Sequence, residues 1–202
     1  MSSTMLPPLA PTLPPEPVAR ISVGQYHRMI DSGVFADDEA VELLEGWLIP
    51  KMPKKPPHNI STGLVSDALQ GILPPGWHID CQGSVTTSDS EPEPDVSVVR
   101  GKRRDYLNSH PKPKDIGMLV EVSDTTLARD RGIKKRSYAR ASVSVYWIVN
   151  LVDRQVEVFT EPTGPTDQPD YGQPQIFKPG DSIPVILDGK EVGKVEVNSV
   201  LP

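Results

Sequence analysis

Two carboxylates stand where a strand would ordinarily be apolar. Asp95 opens Pro94-Asp95-Val96-Ser97-Val98-Val99, and Glu121 interrupts Leu119-Val120-Glu121-Val122-Ser123. An unpaired buried carboxylate costs on the order of several kcal/mol. Two of them in neighbouring apolar strands therefore imply a cation between them, and a divalent metal is the simplest candidate. Asp130-Arg131-Gly132-Ile133-Lys134 follows on a helix-like segment. A lysine beside such a pair implies that an anion is handled there. Carboxylates, metal, lysine and anion together describe phosphodiester hydrolysis.

Periodicity says which way these groups face. In a strand beginning at residue 95, Asp95, Ser97 and Val99 share one face and Val96 and Val98 the other. In the next strand Met118, Val120 and Val122 face one way, and Leu119, Glu121 and Ser123 the other. On the following helix Asp130, Lys134 and Tyr138 are four apart and stack, while Lys135 points about 100° away, toward solvent.

The surrounding elements read as an α+β domain: a mixed β-sheet flanked by helices, with additional β-hairpins. Ser22-Val23-Gly24-Gln25 is a capping-box pattern that starts a short helix through Ile30. Val41 to Ile49, turning at Glu45-Gly46, predicts a hairpin that carries Glu42 and Glu45. Pro50 to Pro57 is a basic, proline-broken loop, and His58 begins an amphipathic helix to Leu73. His78–Thr87, Val96–Val99 and Met118–Val122 read as strands, and Thr125–Ala141 as one helix despite Gly132. Val143–Leu151 is apolar throughout and belongs at the sheet centre, with Val145, Trp147 and Val149 on one face. Gln155–Thr160 pairs back through Asp153-Arg154, and Asp188-Gly189 marks a terminal hairpin. Residues 1–19 form a proline-rich tail, and residues 20–202 one domain, with a core over about 20–160 and a β extension over 161–202.

The totals fit a globular enzyme. The chain has 202 residues, 37% hydrophobic and 24% charged, with a formal net charge of -6. An acidic balance argues against a general nucleic-acid coat protein. Basic patches nevertheless occur at Lys51, Lys54 and Lys55, at Arg100, Lys102, Arg103 and Arg104, and at Lys134, Lys135 and Arg136. The single cysteine, Cys81, excludes an internal disulfide framework and fits a reducing cytoplasm. No apolar run approaches the roughly 20 residues of a membrane span, and the N-terminus lacks a signal-peptide pattern.

Asp95 in a Pro-Asp step followed by Glu121-Val122-Ser123 resembles the Asp…Glu-x-Lys core of the PD-(D/E)XK nuclease superfamily. The ordered set is more particular: Glu42-Leu43-Leu44-Glu45-Gly46, His58-Asn59-Ile60, Pro94-Asp95-Val96, Glu121-Val122-Ser123, Asp130 with Lys134 and Tyr138, then Tyr146-Trp147-Ile148-Val149. Over roughly residues 20 to 160 it resembles the Uma-two type of bacterial restriction endonuclease. Two positions depart from the pattern. Ser123 stands where the superfamily core has lysine, and Lys134 on the adjoining helix takes its place, as in the Uma-two type. Ser142-Val143-Ser144 replaces a glycine-containing turn.

The resemblance implies a restriction-endonuclease-like fold and a metal-dependent endonuclease acting on nucleic acid, DNA foremost. Asp95 and Glu121 then hold Mg2+ or Mn2+, and Lys134 orients the water or offsets transition-state charge. Glu42 or Glu45 supports the site, and His58 and Tyr138 position phosphate. Lys54, Lys55, Lys102, Arg103 and Arg104 contact backbone phosphates. Cutting both strands favours a homodimer. Two other readings fit the same residues. One is a catalytically silent nucleic-acid-binding module on this fold. The other is a structural or regulatory protein whose carboxylates merely pair with Lys134 and arginines.

Overall fold

The protein, as a computed structural model, is described over residues 18–35 and 40–202; of the expected tail, residues 1–17 lie outside the described residues. A six-stranded sheet runs in the order β3 (Trp77–Asp80), β4 (Val96–Arg100), β5 (Ile116–Ser123), β6 (Val145–Asn150), β7 (Gln155–Thr160), β8 (Gln175–Phe177). Only β5 and β6 pair in parallel. Parallel neighbours need a crossover, and here it is the segment that carries Lys134. The α+β architecture matches the sequence expectation.

Alternation sorts the sheet into two cores. Val96, Val98, Met118, Val120, Val122, Val145, Trp147 and Val149 lie on one face, with Val65 and Leu69 of α2 (Pro56–Gln70) and with the hairpin β9 (Ser182–Leu187) and β10 (Lys190–Glu196). Leu119, Tyr146 and Ile148 lie on the other, with Tyr138 and Ala139. Trp147 is buried, as its place in the alternation requires.

Ser22 caps α1 (Val23–Asp31) in a full capping box with Gln25. Strands β1 (Val41–Leu44) and β2 (Trp47–Pro50) form the expected hairpin. Its turn places both Glu45 (φ 50) and Gly46 (φ 77) in the left-handed region, as a two-residue hairpin turn demands. A Cβ at Gly46 would sit 2.6 Å from the Arg20 Cβ, so this turn also needs glycine for space.

Two segments depart from expectation. The strand expected over 78–87 stops at Asp80, because Gln82 turns into the left-handed region at φ 60. Beyond it the chain folds back in an irregular pairing, in which the Glu91 amide donates to the Leu43 carbonyl at 2.7 Å. That bond docks the β1–β2 hairpin beside the start of β4. The helix expected over 125–141 is broken into α3 (Leu127–Arg129), a π-helical turn (Asp130–Lys134) and α4 (Lys135–Arg140). Gly132 causes the break: its φ -104 and ψ -106 are not helical.

Candidate active site

The β4–β5 register brings the two acids together. Val96 pairs with Val120 and Ser97 with Leu119, so one further step sets Asp95 opposite Glu121. Directly opposed residues on one face have Cβ atoms about 5 Å apart. The ladder also continues through a side chain, since the Val122 amide donates to Asp95 Oδ2 at 2.9 Å. Both acids are 3% exposed and line one cavity of about 70 Å3 with Glu42, Lys54, His58, Asp130 and Lys134.

Asp95 is the more heavily partnered acid. His58 Nε2 lies 3.1 Å from Oδ2 and Lys54 Nζ 2.8 Å from Oδ1. Burial pushes its carboxyl up, but His58 and Lys54 outweigh burial and hold it at about 2. Glu121 behaves oppositely. Burial, with the neighbouring charges of Asp95, Asp130 and Glu42, pushes it to about 8 against the pull of Lys134. Both of its hydrogen bonds enter Oε1, from Lys134 Nζ at 2.8 Å and Tyr138 Oη at 2.6 Å, and Oε2 accepts none from the described residues.

Lys134 and Tyr138 meet Glu121 because they are one turn apart, Lys134 as the last residue of the π turn and the cap of α4, Tyr138 within α4. Burial alone would make the Lys134 ammonium easier to deprotonate. Glu121, Glu42 at 3.4 Å and Asp130 outweigh it and keep the amine protonated. Asp130, across the π turn, accepts from Ser123 Oγ at 2.7 Å and Thr126 Oγ1 at 2.6 Å. Ser123 thus anchors the segment that delivers the lysine, which accounts for the hydroxyl at a position where the superfamily core carries the lysine itself. The serine–threonine–aspartate spacing across 123–130 was the sequence signal for this.

Four expectations need correction in geometry. Glu45 does not line the cavity. Its carboxylate takes Arg136 through two bonds, at 2.7 and 2.6 Å, and Arg140 at 3.0 Å. The i,i+4 spacing of those arginines was the overlooked signal, and of the two hairpin acids Glu42 is the one in the site. Tyr138 is fully buried and donates to Glu121, so it orients the carboxylate rather than a phosphate. Lys102, Arg103 and Arg104 lie beyond the far end of β4 from Asp95, against Trp77 and His78, while Lys54 and Lys55 flank the cavity. Lys135 is on another face, as expected, but pairs with Asp170 at 2.7 Å over the Phe159 ring rather than projecting freely into solvent.

Glu45→Gln should therefore act on stability, lowering it by about 2 kcal/mol, as losing charged hydrogen bonds does. Burial raises the Glu45 carboxyl, but Arg136 and then Arg140 lower it further, below its ordinary 4.5. The stabilisation is present above that value and lost as the pH falls below it. Urea denaturation of both proteins at neutral and acid pH should show a gap that closes in acid.

Among the described residues no three His, Cys, Asp or Glu groups are already arranged around an ion. The donor chemistry nevertheless fits a hard divalent cation. Mg2+ uses one or two carboxylates and keeps several waters; here two opposed carboxylates line one cavity, Glu121 Oε2 accepts no hydrogen bond from the described residues, and burial together with the neighbouring acids raises Glu121.

A mixed sheet with aspartate and glutamate opposed at the end of adjacent central strands, and a lysine delivered from the crossover, defines a restriction-endonuclease-like fold. The chain belongs to the Uma2 family, described as "Putative restriction endonuclease", whose model matches residues 23–190. Among solved structures it is similar to a protein described as "a putative nuclease belonging to DUF820 from Anabaena variabilis ATCC 29413". The TM-score is 0.61 at 14% identity, over 89% of this chain and 97% of that one, a likeness of fold. No curated protein matches the sequence. No helix among the described residues is long and apolar enough to cross a membrane.

Proposed function

We propose that the chain is a Mg2+- or Mn2+-dependent endonuclease that hydrolyses phosphodiester bonds of DNA. The observation that carries this reading is the meeting of Asp95, Glu121 and Lys134 at one cavity, from three elements far apart in sequence. Membership of the Uma2 family supports the nuclease class.

Asp95 and Glu121 would hold the ion, which supplies a Lewis acid for a phosphate oxygen and a more acidic water. The chain's own residues do the rest. His58 and the Val122 amide fix the Asp95 carboxylate. Tyr138 fixes Glu121 through Oε1, and Oε2 accepts no hydrogen bond from the described residues. Lys134 places a permanent positive charge beside the reacting phosphate, where negative charge grows in the transition state. Glu42 keeps that ammonium aimed, at 3.4 Å. Lys54 and Lys55 face the backbone phosphates without reading bases. Cutting both strands would call for a two-fold dimer.

The test is nicking of supercoiled plasmid DNA. Cleavage should require Mg2+ or Mn2+, stop on addition of a chelator and return when the ion is restored in excess. Cleavage unaffected by chelator, or none with either ion at any salt concentration, would overturn the proposal.

A further inference from the structure

The loop between β2 and α2 bears three lysines, and each is paired with an acid beside the cavity. Lys51 holds Glu93, Lys54 holds Asp95 Oδ1 at 2.8 Å, and Lys55 holds Asp124 at 3.5 Å. Glu93 and Asp95 precede β4, and Asp124 follows β5. Residues 51–55 have no regular secondary structure, and Lys55 at the start of α2 makes no side-chain cap bond. The loop is thus tied across the cavity by its charges.

Lys54 is the informative member. Asp95 Oδ2 is occupied by the Val122 amide and His58, so Oδ1 is the oxygen left for an incoming cation. The ammonium of Lys54 sits on that oxygen, and its side chain is one-third exposed, 33%, against 5% for Asp95. A buried carboxylate needs a counter-charge, and Lys54 supplies one on a flexible, strongly hydrated stem. A divalent ion on Oδ1 would repel the ammonium at close range. The displaced lysine would remain at the cavity mouth, where the substrate brings phosphates.

We propose that Lys54 is a placeholder cation: it neutralises Asp95 in the metal-free protein and passes to a substrate phosphate when the metal takes Asp95. It is a positioning residue, and the inference rests on the nuclease reading of the site. The exchange couples the two binding events, since a metal on Asp95 frees a phosphate contact and a phosphate on Lys54 vacates a metal ligand.

The experiment uses the full chain as wild type, Lys54→Met and Lys54→Arg. Mn2+ binding is measured by calorimetry, and binding of a short DNA duplex by fluorescence anisotropy in Ca2+ and in chelator. Removing the competitor should strengthen Mn2+ binding by about tenfold in Lys54→Met, a coupling of ordinary size for charges in contact. The same variant should bind duplex about tenfold more weakly in Ca2+, with the salt slope reduced by about one. In chelator, where Lys54 is engaged by Asp95, its loss should change duplex affinity little. Lys54→Arg should restore wild-type behaviour in all three measurements. A purely structural ion pair would not move metal and DNA affinity in opposite directions. Unchanged or weaker Mn2+ binding in Lys54→Met, beside clear binding in wild type, overturns the placeholder and leaves the nuclease reading standing. No Mn2+ binding in any of the three proteins overturns both.

Discussion

Lys134→Met should cut the rate of plasmid nicking by about a hundredfold to a thousandfold, the usual cost of losing one group aimed at transition-state charge, while Mn2+ still binds. The two effects separate because the proposed metal ligands are Asp95 and Glu121, not the lysine. Its ammonium is buried on Glu121 Oε1, and methionine fills similar space without charge. Losing a buried partner is also destabilising, by about 3–5 kcal/mol where a charge is left uncompensated. A bound ion would offset part of that loss, so the melting temperature of the variant should rise on adding Mn2+. Lys135→Met offers the contrast, because that side chain sits on Asp170 and the Phe159 ring, outside the cavity. Wild-type nicking by Lys134→Met would remove the lysine from the mechanism.

Glu121→Gln should abolish Mn2+ binding, because a neutral amide is a far poorer ligand for a hard cation than a carboxylate. The same change should alter the metal-free protein in a way a simple ligand loss would not. Burial raises the Glu121 carboxyl to about 8 from an ordinary 4.5. An acid whose folded value is raised gives stability that is full below its unfolded value and lost as the pH rises through its folded one. In chelator, wild-type stability should therefore carry a decline between about pH 4.5 and about pH 8 that Glu121→Gln lacks. Urea midpoints across that range measure it. Parallel pH profiles for the two proteins would show that Glu121 is not the strained acid of the site.

Much of this arrangement is legible in the chain. Alternation separates Trp147 from Tyr146 and Ile148 within one strand and Leu119 and Glu121 from Val120 and Val122 within another, and the two cores divide along those lines. The Ser22–Gln25 box and the Glu45-Gly46 turn follow from local chemistry, so sequence alone locates them. What sequence does not carry is the docking of one element on another. Glu42 and Glu45 belong to the same hairpin. The bonds that seat that hairpin on the 89–91 segment, Glu91 to Leu43, Gly46 to Asp89 and the Glu45 amide to Ser90 Oγ, turn Glu42 toward Lys134 and leave Glu45 to Arg136. The break at Gly132 is similar. A glycine costs about 1 kcal/mol in a helix relative to alanine, which marks a weak point but not a π turn. The basic run Lys102–Arg104 has suitable chemistry for phosphate, yet β4 carries it away from Asp95, and strand direction is not written in a charge pattern.

If Asp95 and Glu121 form a metal site, calorimetric titration of Mn2+ into wild type and Asp95→Asn will register it. The substitution keeps the shape of the side chain, and an amide oxygen can still accept the Val122 amide bond. Wild type should show a saturable site, exothermic or endothermic, that vanishes in Asp95→Asn, with plasmid nicking lost alongside. Equal Mn2+ affinity in the two folded proteins would rule out a metal site at Asp95 and favour a nucleic-acid-binding module whose acids are neutralised by Lys54, His58 and Lys134.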